Sequence, residues 1–375
     1  MEKKLNIGLI GHKFMGKAHS HAYRDVDMFF DLPAKPVMKV VCGVEKDIED
    51  VYFRYGWENY THDWKEVVHN PEIDVIDICT PDNTHFEIAM EAARYGKHII
   101  CEKPMALNLE EAKAMYESAM EKHITTMVNF TYRGVPAIRL AKQIIDEGKI
   151  GKIYHFNAFY QQDFCLNENF PFVWRMDKNL AGAGTMADKG SHILDLARFL
   201  VGELDEVACK SETFIKKRKM ASTEEICNVT ANDAAVFIGS FKNGALGLFE
   251  TSNMSAGHKN ALKIEITGSN GSINFDLERL NELEVYFEKD ENNLKGFRKI
   301  LVTEPTHPYI KNWWPSGHVI GWEHTFVHQI YEFICAVSEN RQITPSFYDG
   351  MKCQEIVDAI ANADENKKWV KINNL

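Results

Sequence analysis

Apolar strand patterns alternate with amphipathic helix patterns from residue 5 to about residue 129, and this alternation constrains the fold more than any other feature. The strand patterns are rich in β-branched residues and cover residues 5–10, 37–44, 75–79, 98–101 and 125–130. Between them, apolar residues recur at helical spacing, as in residues 84–95 and 108–122. Because a crossover helix joins parallel strands, the pattern predicts an α/β domain with a doubly wound parallel sheet.

The pattern changes after a helix predicted over residues 137–147, where Gly148 and Gly151 interrupt it. Hairpin signals and two further helical stretches, 191–200 and 322–339, lie among strand patterns in the rest of the chain. The strand patterns cover residues 154–161, 206–214, 233–241, 245–251, 261–267 and 284–288. This part predicts an α+β domain whose large sheet is mostly antiparallel and is backed by helices.

Length and composition bound the class of protein. At 375 residues the chain exceeds the size of about 250–300 residues at which single cores stop growing. We therefore expect a dinucleotide-binding domain over residues 1–130 and a substrate-binding and oligomerisation domain over residues 131–375. The chain shows no signal-peptide pattern and no apolar run long enough to cross a membrane, so a cytoplasmic protein with no membrane partner is expected.

Charge and cysteine usage narrow the class further. A net charge of -11 argues against nucleic acid as a partner, because binding to phosphates needs a basic surface. We interpret the one basic run, residues 216–219, as a solvated loop. The eight cysteines are scattered without a C-x-x-C pair, which favours reduced, buried thiols over disulfides or structural zinc. No metal is expected.

The turn after the first strand carries Gly11 and Gly16 and leads into a helical pattern. A dinucleotide site needs a tight turn, close approach of the backbone to pyrophosphate, and a helix N-terminus facing the phosphates. The middle glycine of that pattern is missing, and Lys13 stands in its place, where its ammonium could itself stabilise a phosphate. The cofactor-binding residues predicted in this loop are Gly11, Lys13, Phe14, Met15 and Gly16.

The acid that binds the adenosine ribose is expected near the end of the second strand. Gly43 occupies the most favourable position, and Glu45 follows two residues later. No arginine follows Gly43 to meet a 2′-phosphate, and Lys46 is a poor substitute. NAD is therefore preferred over NADP, with Glu45 among the predicted cofactor ligands.

Two later strands end in polar segments, at the edge of the sheet where ligands bind in open α/β folds. A lysine followed by proline at such an edge favours a functional role over a simple surface charge. The further residues predicted to bind the cofactor are Thr80, Pro81, Asn83, His85, Glu102 and Lys103.

Asp188 and His192 lie four residues apart after a glycine-rich stretch, so on one helical turn they would point the same way. Oxidising an alcohol requires a base for the hydroxyl proton, and histidine titrates in a suitable range. Two alternatives remain open on these residues alone. Asp188 could cap the helix beside a structural His192, or both could bind a metal together with Asp195.

Taken together, the Gly11-to-Gly16 loop, the Thr80-Pro81 strand end, Glu102-Lys103-Pro104 and the Asp188/His192 pair resemble the Gfo/Idh/MocA family of oxidoreductases over nearly the whole chain. The resemblance implies a Rossmann domain followed by an open-faced mixed sheet, with the active site between them. It also implies a catalytic set in which His192 is the acid/base, Lys103 holds and polarises the reacting hydroxyl, and Asp188 positions the substrate or His192.

Several stretches resemble the family members that oxidise C3 of a pyranose ring in sugars and glycosides, notably residues 14–20, 28–30 and 307–309. Sugar sites combine aromatic faces with polar groups that fix each hydroxyl. We further expect the Trp313-Trp314 loop to line the mouth of the pocket and accept a glycoside's aglycone. The predicted substrate-binding residues are Lys103, Tyr132, Arg133, Gln162, Asp163, Trp174, Arg175, Asp188 and His192.

The resemblance also implies a homo-oligomer, a dimer or tetramer or larger, formed through the open sheet. The expected function is hydride transfer between a sugar or glycoside hydroxyl and NAD. Two alternatives are a redox-neutral enzyme with tightly bound NAD and a catalytically inactive nucleotide-sensing regulator. The presence of Lys103, Asp188 and His192 argues against the regulator, because a sensor needs no acid/base.

Overall fold

A computed structural model describes residues 3–223 and 225–372 of the chain. The chain divides into two compact units. The first comprises Met1–Gly134 with Ile320–Lys352, and the second comprises Val135–Val319 with Cys353–Leu375. Segments from the end of the chain thus belong to both units.

The first unit begins with strands and helices that alternate along the chain. They are β1 (Lys4–Ile10), α1 (Phe14–Phe29), β2 (Lys35–Cys42), α2 (Ile48–Tyr55), β3 (Asn59–Thr61), α3 (Trp64–His69), β4 (Val75–Ile78), α4 (His85–Arg94), β5 (His98–Cys101), α5 (Leu109–Glu121) and β6 (Thr126–Val128). The described strands form a six-stranded sheet in the order β3-β2-β1-β4-β5-β6. All of its pairs are parallel, which confirms the predicted doubly wound sheet.

The strand order reverses between β1 and β4, so the crevice at the carboxyl ends of these two strands is where an open α/β sheet binds its ligand. Gly11 follows β1 and Cys79 follows β4, and the Cys79 amide donates to the carbonyl of Ile10 at 2.8 Å. Every residue of β4 is buried, as expected for a parallel strand covered on both faces.

The second unit follows from residue 135. Its elements are α6 (Pro136–Asp146), β7 (Ile153–Gln161), α7 (Lys178–Ala181), α8 (Thr185–Asp188), α9 (Gly190–Leu200), β8 (Leu204–Glu212), β9 (Lys217–Lys219), β10 (Ile226–Asn228), β11 (Ala234–Phe241), β12 (Leu246–Ser252), β13 (Ala261–Gly268), β14 (Gly271–Asp276), β15 (Glu282–Phe287) and β16 (Arg298–Leu301). The last elements of the chain are α10 (His324–Ser338), α11 (Phe347–Asn366) and β17 (Val370–Lys371).

A nine-stranded sheet in the order β16-β15-β14-β13-β7-β12-β11-β8-β17 organises the second unit. β7 and β12 run parallel, and the other pairs are antiparallel, so the predicted mostly antiparallel sheet is confirmed. On one face Phe156, Phe237 and Phe249 are fully buried, and the rings of Phe237 and Phe249 stack at 4.8 Å. On the other face Ile238 and Leu248 are exposed.

The basic run at residues 216–219 is not the solvated loop that its charges predicted. Part of it forms β9, which pairs with β10, and Arg218 is 2% exposed. The Arg218 guanidinium donates to the backbone carbonyls of Cys165, Asn167 and Phe170. These contacts compensate the buried charge, and no charge pattern along the chain reveals them.

The sequence patterns also missed α11, a helix of 20 residues. Its first part is buried almost continuously and includes polar side chains, among them Lys352, Gln354 and Glu355. A helix buried on all sides with polar residues at core positions lacks the apolar stripe by which helices are recognised. Among the described residues, no helix combines the length and apolar character needed to cross a bilayer.

The core of the first unit contains a network of charged groups around His19 of α1. Nδ1 of His19 lies 2.8 Å from the Asp77 carboxylate of β4, and Nε2 lies 2.9 Å from Glu102, the residue after β5. Tyr23 donates to Asp77 at 2.8 Å, and the Asn129 amide donates to Glu102 at 2.5 Å. The imidazole therefore joins α1 to two neighbouring strands.

The Asp77 carboxylate favours the charged form of the imidazole. Burial lowers the pKa of His19, but the Asp77 carboxylate and the Cys79 side chain together outweigh burial and hold this pKa well above the ordinary histidine value. Burial raises the pKa of Glu102, but the hydrogen bond and charge of His19, together with Asn129 and Lys103, more than reverse that, so the pKa of Glu102 is lowered. The network thus contains an imidazolium between two carboxylates.

We predict that His19→Gln lowers the free energy of unfolding by about 3–5 kcal/mol near neutral pH, because both carboxylates lose their buried cation. Because folding raises the pKa of His19, the contribution of His19 to the free energy of unfolding decreases as the pH rises. The stabilisation is complete below the unfolded-state histidine pKa of about 6.5 and is lost as the pH rises through the folded-state pKa. The difference between wild type and variant, measured by urea unfolding, should therefore narrow at alkaline pH.

His21→Gln provides the matched control, because His21 lies on the same helix with an exposed ring and pairs with Asp25 at the surface. That substitution should change the stability by at most about 1 kcal/mol. Equal effects of the two substitutions would contradict a charged core network.

Candidate active site

The turn after β1 and the first turn of α1 each need glycine at one position. Gly11 has a φ of +103°, and a Cβ there would lie 2.5 Å from the carbonyl oxygen of Cys79. A Cβ on Gly16 would lie 1.9 Å from the carbonyl oxygen of Gly11. Lys13 is the N-cap of α1, and its side chain makes no capping hydrogen bond. This tight turn at a helix N-terminus fits the pyrophosphate of a dinucleotide.

The Lys13 ammonium, predicted to stabilise a phosphate, pairs with another part of the same unit. Its Nζ lies 2.8 Å from both carboxylate oxygens of Asp47, which stands just before α2. Glu45, the predicted ribose ligand, is half exposed, and one of its oxygens lies 3.8 Å from His12. The cofactor contacts of Lys13 and Glu45 stay predictions, and Asp47 and His12 are neighbours of these residues that the sequence patterns did not identify.

His85 holds together the two polar strand ends that were predicted to face the cofactor. Its ring is fully buried, with Nε2 at 2.9 Å from the Thr80 carbonyl oxygen and Nδ1 at 3.0 Å from the Pro104 carbonyl oxygen. Its nitrogens are thus engaged by the backbone of both segments. Pro81 and Asn83 are exposed beside it, where a ligand can reach them.

Lys103 follows directly on the His19 network. The Glu102 side chain accepts a hydrogen bond from the Lys103 amide at 3.2 Å, and the Lys103–Pro104 peptide bond is cis. Lys103 itself is half-buried. A chain of contacts from Asp77 through His19 and Glu102 therefore ends at the backbone of the predicted catalytic lysine.

Asp188 and His192 belong to the second unit and lie on two consecutive short helices. Gly184, with a φ of +60°, precedes α8, because a Cβ there would lie 2.8 Å from the backbone nitrogen of Asn232. Asp188 ends α8, and His192 lies in the first turn of α9, whose N-cap is Lys189. Asp188 therefore directly precedes the N-cap residue of the helix that contains His192.

Two clusters of potential metal ligands lie in the described part of the chain. There, the groups whose ligand atoms lie within 4.8 Å of one another are His19 with Asp77 and Cys79, and His12 with Glu45 and Asp47. Asp188, His192 and Asp195 do not form such a group.

The Tyr160 side chain of β7 packs against His192 and begins a series of hydrogen bonds. The Tyr160 ring lies 5.7 Å from the His192 ring at an angle of 61°, and its hydroxyl donates to Asn260 at 2.7 Å. The same Asn260 oxygen accepts from Gln162 at 2.8 Å. Gln162, predicted to bind substrate, is therefore linked through Asn260 and Tyr160 to the predicted base.

Lys189 is a residue of this site that the sequence analysis missed. It is 2% exposed, and its ammonium lies 3.4 Å from the Asp188 carboxylate and contacts Asn253. The rings of Tyr160 and Phe164 lie 6.0 Å and 5.1 Å from the same ammonium. Only its burial beside Asp188 distinguishes Lys189 from the other lysines of the chain. Burial of this kind leaves no pattern in the sequence.

Other predicted substrate residues of this unit carry polar or aromatic groups at its surface. Asp163 accepts from Lys259 at 2.7 Å, and this contact lowers the pKa of the carboxyl group. The Arg175 guanidinium lies over the Trp174 ring at 4.3 Å, in a 3₁₀ helix. Arg175 is exposed.

Tyr132 and Arg133 lie in the first unit and are buried, with 4% and 2% exposure. The Arg133 guanidinium donates to the Asp349 carboxylate at 3.0 Å. This ion pair connects the sheet to the segment that begins α11. The predicted role of both residues in substrate binding remains a prediction.

The tryptophans of the late segment have different environments. Trp314 is 47% exposed, and Trp313 beside it is half-buried. Trp322 stacks on Phe14 of the glycine loop, with ring centroids 5.5 Å apart, and packs against Phe326. Trp322 therefore supports α1, whereas Trp314 presents its indole to solvent.

Comparisons with known proteins agree over the full length of the chain. It is 40% identical to levoglucosan dehydrogenase from Pseudarthrobacter phenanthrenivorans, covering 99% of this chain and 98% of the relative. Glucose-6-phosphate 3-dehydrogenase from Bacillus subtilis is 26% identical over 79% of this chain and 81% of its own. The solved levoglucosan dehydrogenase in complex with NADH and levoglucosan superimposes with a TM-score of 0.96 at 41% identity, covering 99% of this chain and 100% of its own.

Two family models match consecutive parts of the chain. The model described as "Oxidoreductase family, NAD-binding Rossmann fold" matches residues 5–130, and "Oxidoreductase family, C-terminal alpha/beta domain" matches residues 142–372. These matches confirm the resemblance stated from the motifs, the NAD cofactor and the oxidoreductase activity. The chain therefore belongs to the Gfo/Idh/MocA oxidoreductase family.

Proposed function

We propose that the protein is an NAD-dependent dehydrogenase that oxidises a secondary ring hydroxyl, at C3, of a sugar or glycoside. The observation that carries the proposal is the 40% identity to levoglucosan dehydrogenase over 99% of the chain. The glycine loop of the first unit and the Asp188/His192 pair of the second supply the groups that such a reaction needs. The name of the second relative, a sugar-phosphate 3-dehydrogenase, supports C3 as the position.

Oxidation of the alcohol removes a proton from oxygen and a hydride from the same carbon, leaving a carbonyl group. Bound NAD supplies the acceptor for the hydride. His192 takes the hydroxyl proton as the ketone forms and returns it in the reverse direction. Its ring is 6% exposed and packs against Tyr160, which Asn260 holds through a hydrogen bond. This packing supports a base held in one orientation.

Asp188 and Lys103 prepare the substrate for that transfer. The buried Lys189 ammonium places a positive charge 3.4 Å from the Asp188 carboxylate, which stabilises the carboxylate as a hydrogen-bond acceptor for a sugar hydroxyl. Lys103 donates to the reacting oxygen and lowers the cost of its deprotonation. Glu102 and the charged His19 fix the backbone from which Lys103 extends.

Polar groups near the predicted base suit a polyhydroxylated substrate. Gln162 and Asn260 are linked by a hydrogen bond, and we expect the Trp174 ring, which already carries the Arg175 guanidinium on one side, to stack against a pyranose ring. The exposed indole of Trp314 supports our hypothesis that its loop accepts the aglycone of a glycoside. Replacing Trp313 and Trp314 by alanine should then lower kcat/KM for aryl glycosides more than for the free sugar.

We predict that His192→Asn and Lys103→Met each lower kcat/KM for levoglucosan at least about 100-fold, because each removes a group needed for proton transfer. Formation of NADH at its absorbance band is the measurement. The dissociation constant of NADH should stay unchanged in His192→Asn, which separates lost chemistry from lost cofactor.

His123→Asn is the matched control, because His123 lies exposed after α5 and its replacement should leave the rate unchanged. Many turnovers with release of NADH would favour the dehydrogenase over a redox-neutral enzyme. An undiminished rate in His192→Asn would remove His192 as the base.

The position of oxidation has a separate test. Levoglucosan carrying deuterium at C3 should transfer that deuterium to the nicotinamide, because the hydride leaves the carbon that becomes the carbonyl. Substrate with deuterium at C2 should keep its label in the product. Mass spectrometry of the reduced cofactor distinguishes the two results, and transfer from C2 would contradict oxidation at C3.

We also propose that the open face of the nine-stranded sheet forms a homo-oligomer. Val236, Ile238, Leu246 and Leu248 are exposed on β11 and β12, and Ile238 is directly opposite Leu248. An apolar patch of neighbouring strands at the surface is typical of a protein interface. Burial against a second copy would remove these side chains from water.

We predict that wild type has at least twice the subunit mass of 43.0 kDa in light scattering, and that the double variant Ile238→Glu with Leu248→Glu dissociates. Two buried carboxylates without partners oppose association. Phe53→Glu is the control, because Phe53 is an exposed apolar residue on α2 of the other unit. A monomeric wild type would contradict the proposal.

A further inference from the structure

The residue after β2 is glycine at the position where dinucleotide folds place the acid that binds the adenosine ribose. The structure shows why no acid can stand there. A Cβ on Gly43 would lie 2.0 Å from Nδ1 and 2.6 Å from Cε1 of His12. The imidazole of His12 therefore occupies the space that a side chain at residue 43 would need.

The same imidazole contacts an acid farther along the chain. His12 is 2% exposed, and its Nε2 lies 2.9 Å from Oδ1 of Asp47. The Lys13 ammonium contacts both oxygens of that carboxylate at 2.8 Å. Asp47 is thus held against the glycine loop from two sides, four residues beyond the usual position of the acid.

The backbone places these groups at the cofactor edge of the sheet. The Gly11 amide donates to the Cys42 carbonyl at 2.9 Å, which joins the glycine loop to the end of β2. The Asp47 side chain is 52% exposed, so a ligand can reach it. Hydrogen bonds from Lys13 and His12 lower the pKa of Asp47 to about 2, so the carboxylate is ionised at any physiological pH.

We infer that Asp47, positioned by His12 and Lys13, replaces the acid at the end of β2, binds the ribose hydroxyls of NAD and sets the preference for NAD over NADP. The inference rests on the proposed function, because it concerns the cofactor of that activity. One rearrangement then accounts for both departures from the dinucleotide motif, the missing middle glycine and the missing acid. The His12 ring occupies the space of the usual acid. The Lys13 ammonium holds Asp47, which replaces that acid.

Electrostatics decide which nucleotide fits. A carboxylate accepts hydrogen bonds from the ribose diol and repels the phosphate that NADP carries on the same oxygen. Lys13, whose ammonium could attract this phosphate, is already paired with Asp47. Glu45, 3.8 Å from His12, adds a second negative charge at this point. The cluster therefore disfavours a 2′-phosphate despite its two basic residues.

The test is direct binding of NADH and NADPH, measured by calorimetry without substrate. Asp47→Asn should weaken NADH binding about tenfold or more, as loss of hydrogen bonds to a charged group implies. NADPH binding should stay equal or become tighter, since Lys13 is released. Asp50→Asn on the same helix is the matched control and should change neither constant.

A second set of variants tests the exchange of positions. Gly43→Asp alone should weaken NADH binding, because the new side chain collides with His12. Adding Gly43→Asp to the His12→Gly and Asp47→Asn pair should restore NADH binding relative to that pair. Thermal unfolding of each variant without nucleotide separates a lost site from a lost fold.

The outcomes separate this inference from the proposed function. Wild type that binds neither nucleotide would overturn the proposed function itself. Wild type that binds NADH, with Asp47→Asn binding it equally well and with the same preference over NADPH, would overturn only the role of Asp47. A changed preference in Asp47→Asn together with restored binding in the triple variant would establish it.

Discussion

The buried charge of His19 is the interaction on which the arrangement of the first unit depends. An imidazolium cannot be placed in a core without partners, and here Asp77 and Glu102 both provide them. Since the three residues come from α1, β4 and the end of β5, the compensation of one charge fixes three elements at the carboxyl edge of the sheet. The glycine loop precedes the same helix, and Lys103 follows the second carboxylate.

A similar dependence exists in the second unit, where polar contacts surround the predicted base. Tyr160, Asn260 and Gln162 form a hydrogen-bonded series beside His192, and the buried Lys189 ammonium lies 3.4 Å from the Asp188 carboxylate. Buried polar groups are costly unless satisfied, so each contact restricts the orientation of the next. Such restriction is what a proton-transfer site requires, because its groups must be held in place before the substrate arrives.

Much of the fold could be predicted from periodicity. The strands β1, β4 and β5 were predicted to within one residue, because parallel strands buried on both faces read as short apolar runs. Prediction failed for α11, because its buried polar residues interrupt the apolar periodicity of the helix. It also failed for the basic run at Arg218, because backbone carbonyls distant in sequence accept hydrogen bonds from this buried guanidinium. The oxidoreductase family and its cofactor could be predicted because their motifs consist of residues close in sequence.

The sequence by itself determined the two kinds of sheet and the NAD-binding family, because these follow from local spacing and residue type, and the candidate catalytic residues were predicted from the resemblance to that family. Only the tertiary structure decided how those residues are supported. Asp77 is an acid inside an apolar strand, and only the tertiary structure shows that it is the buried partner of His19. Likewise, the sequence shows at Gly43 only that the usual ribose-binding acid is absent. The structure shows that the His12 ring occupies the space of that side chain and that Asp47 lies beside the ring. Contacts between residues far apart in the chain depend on how the elements pack, and no local pattern encodes that packing.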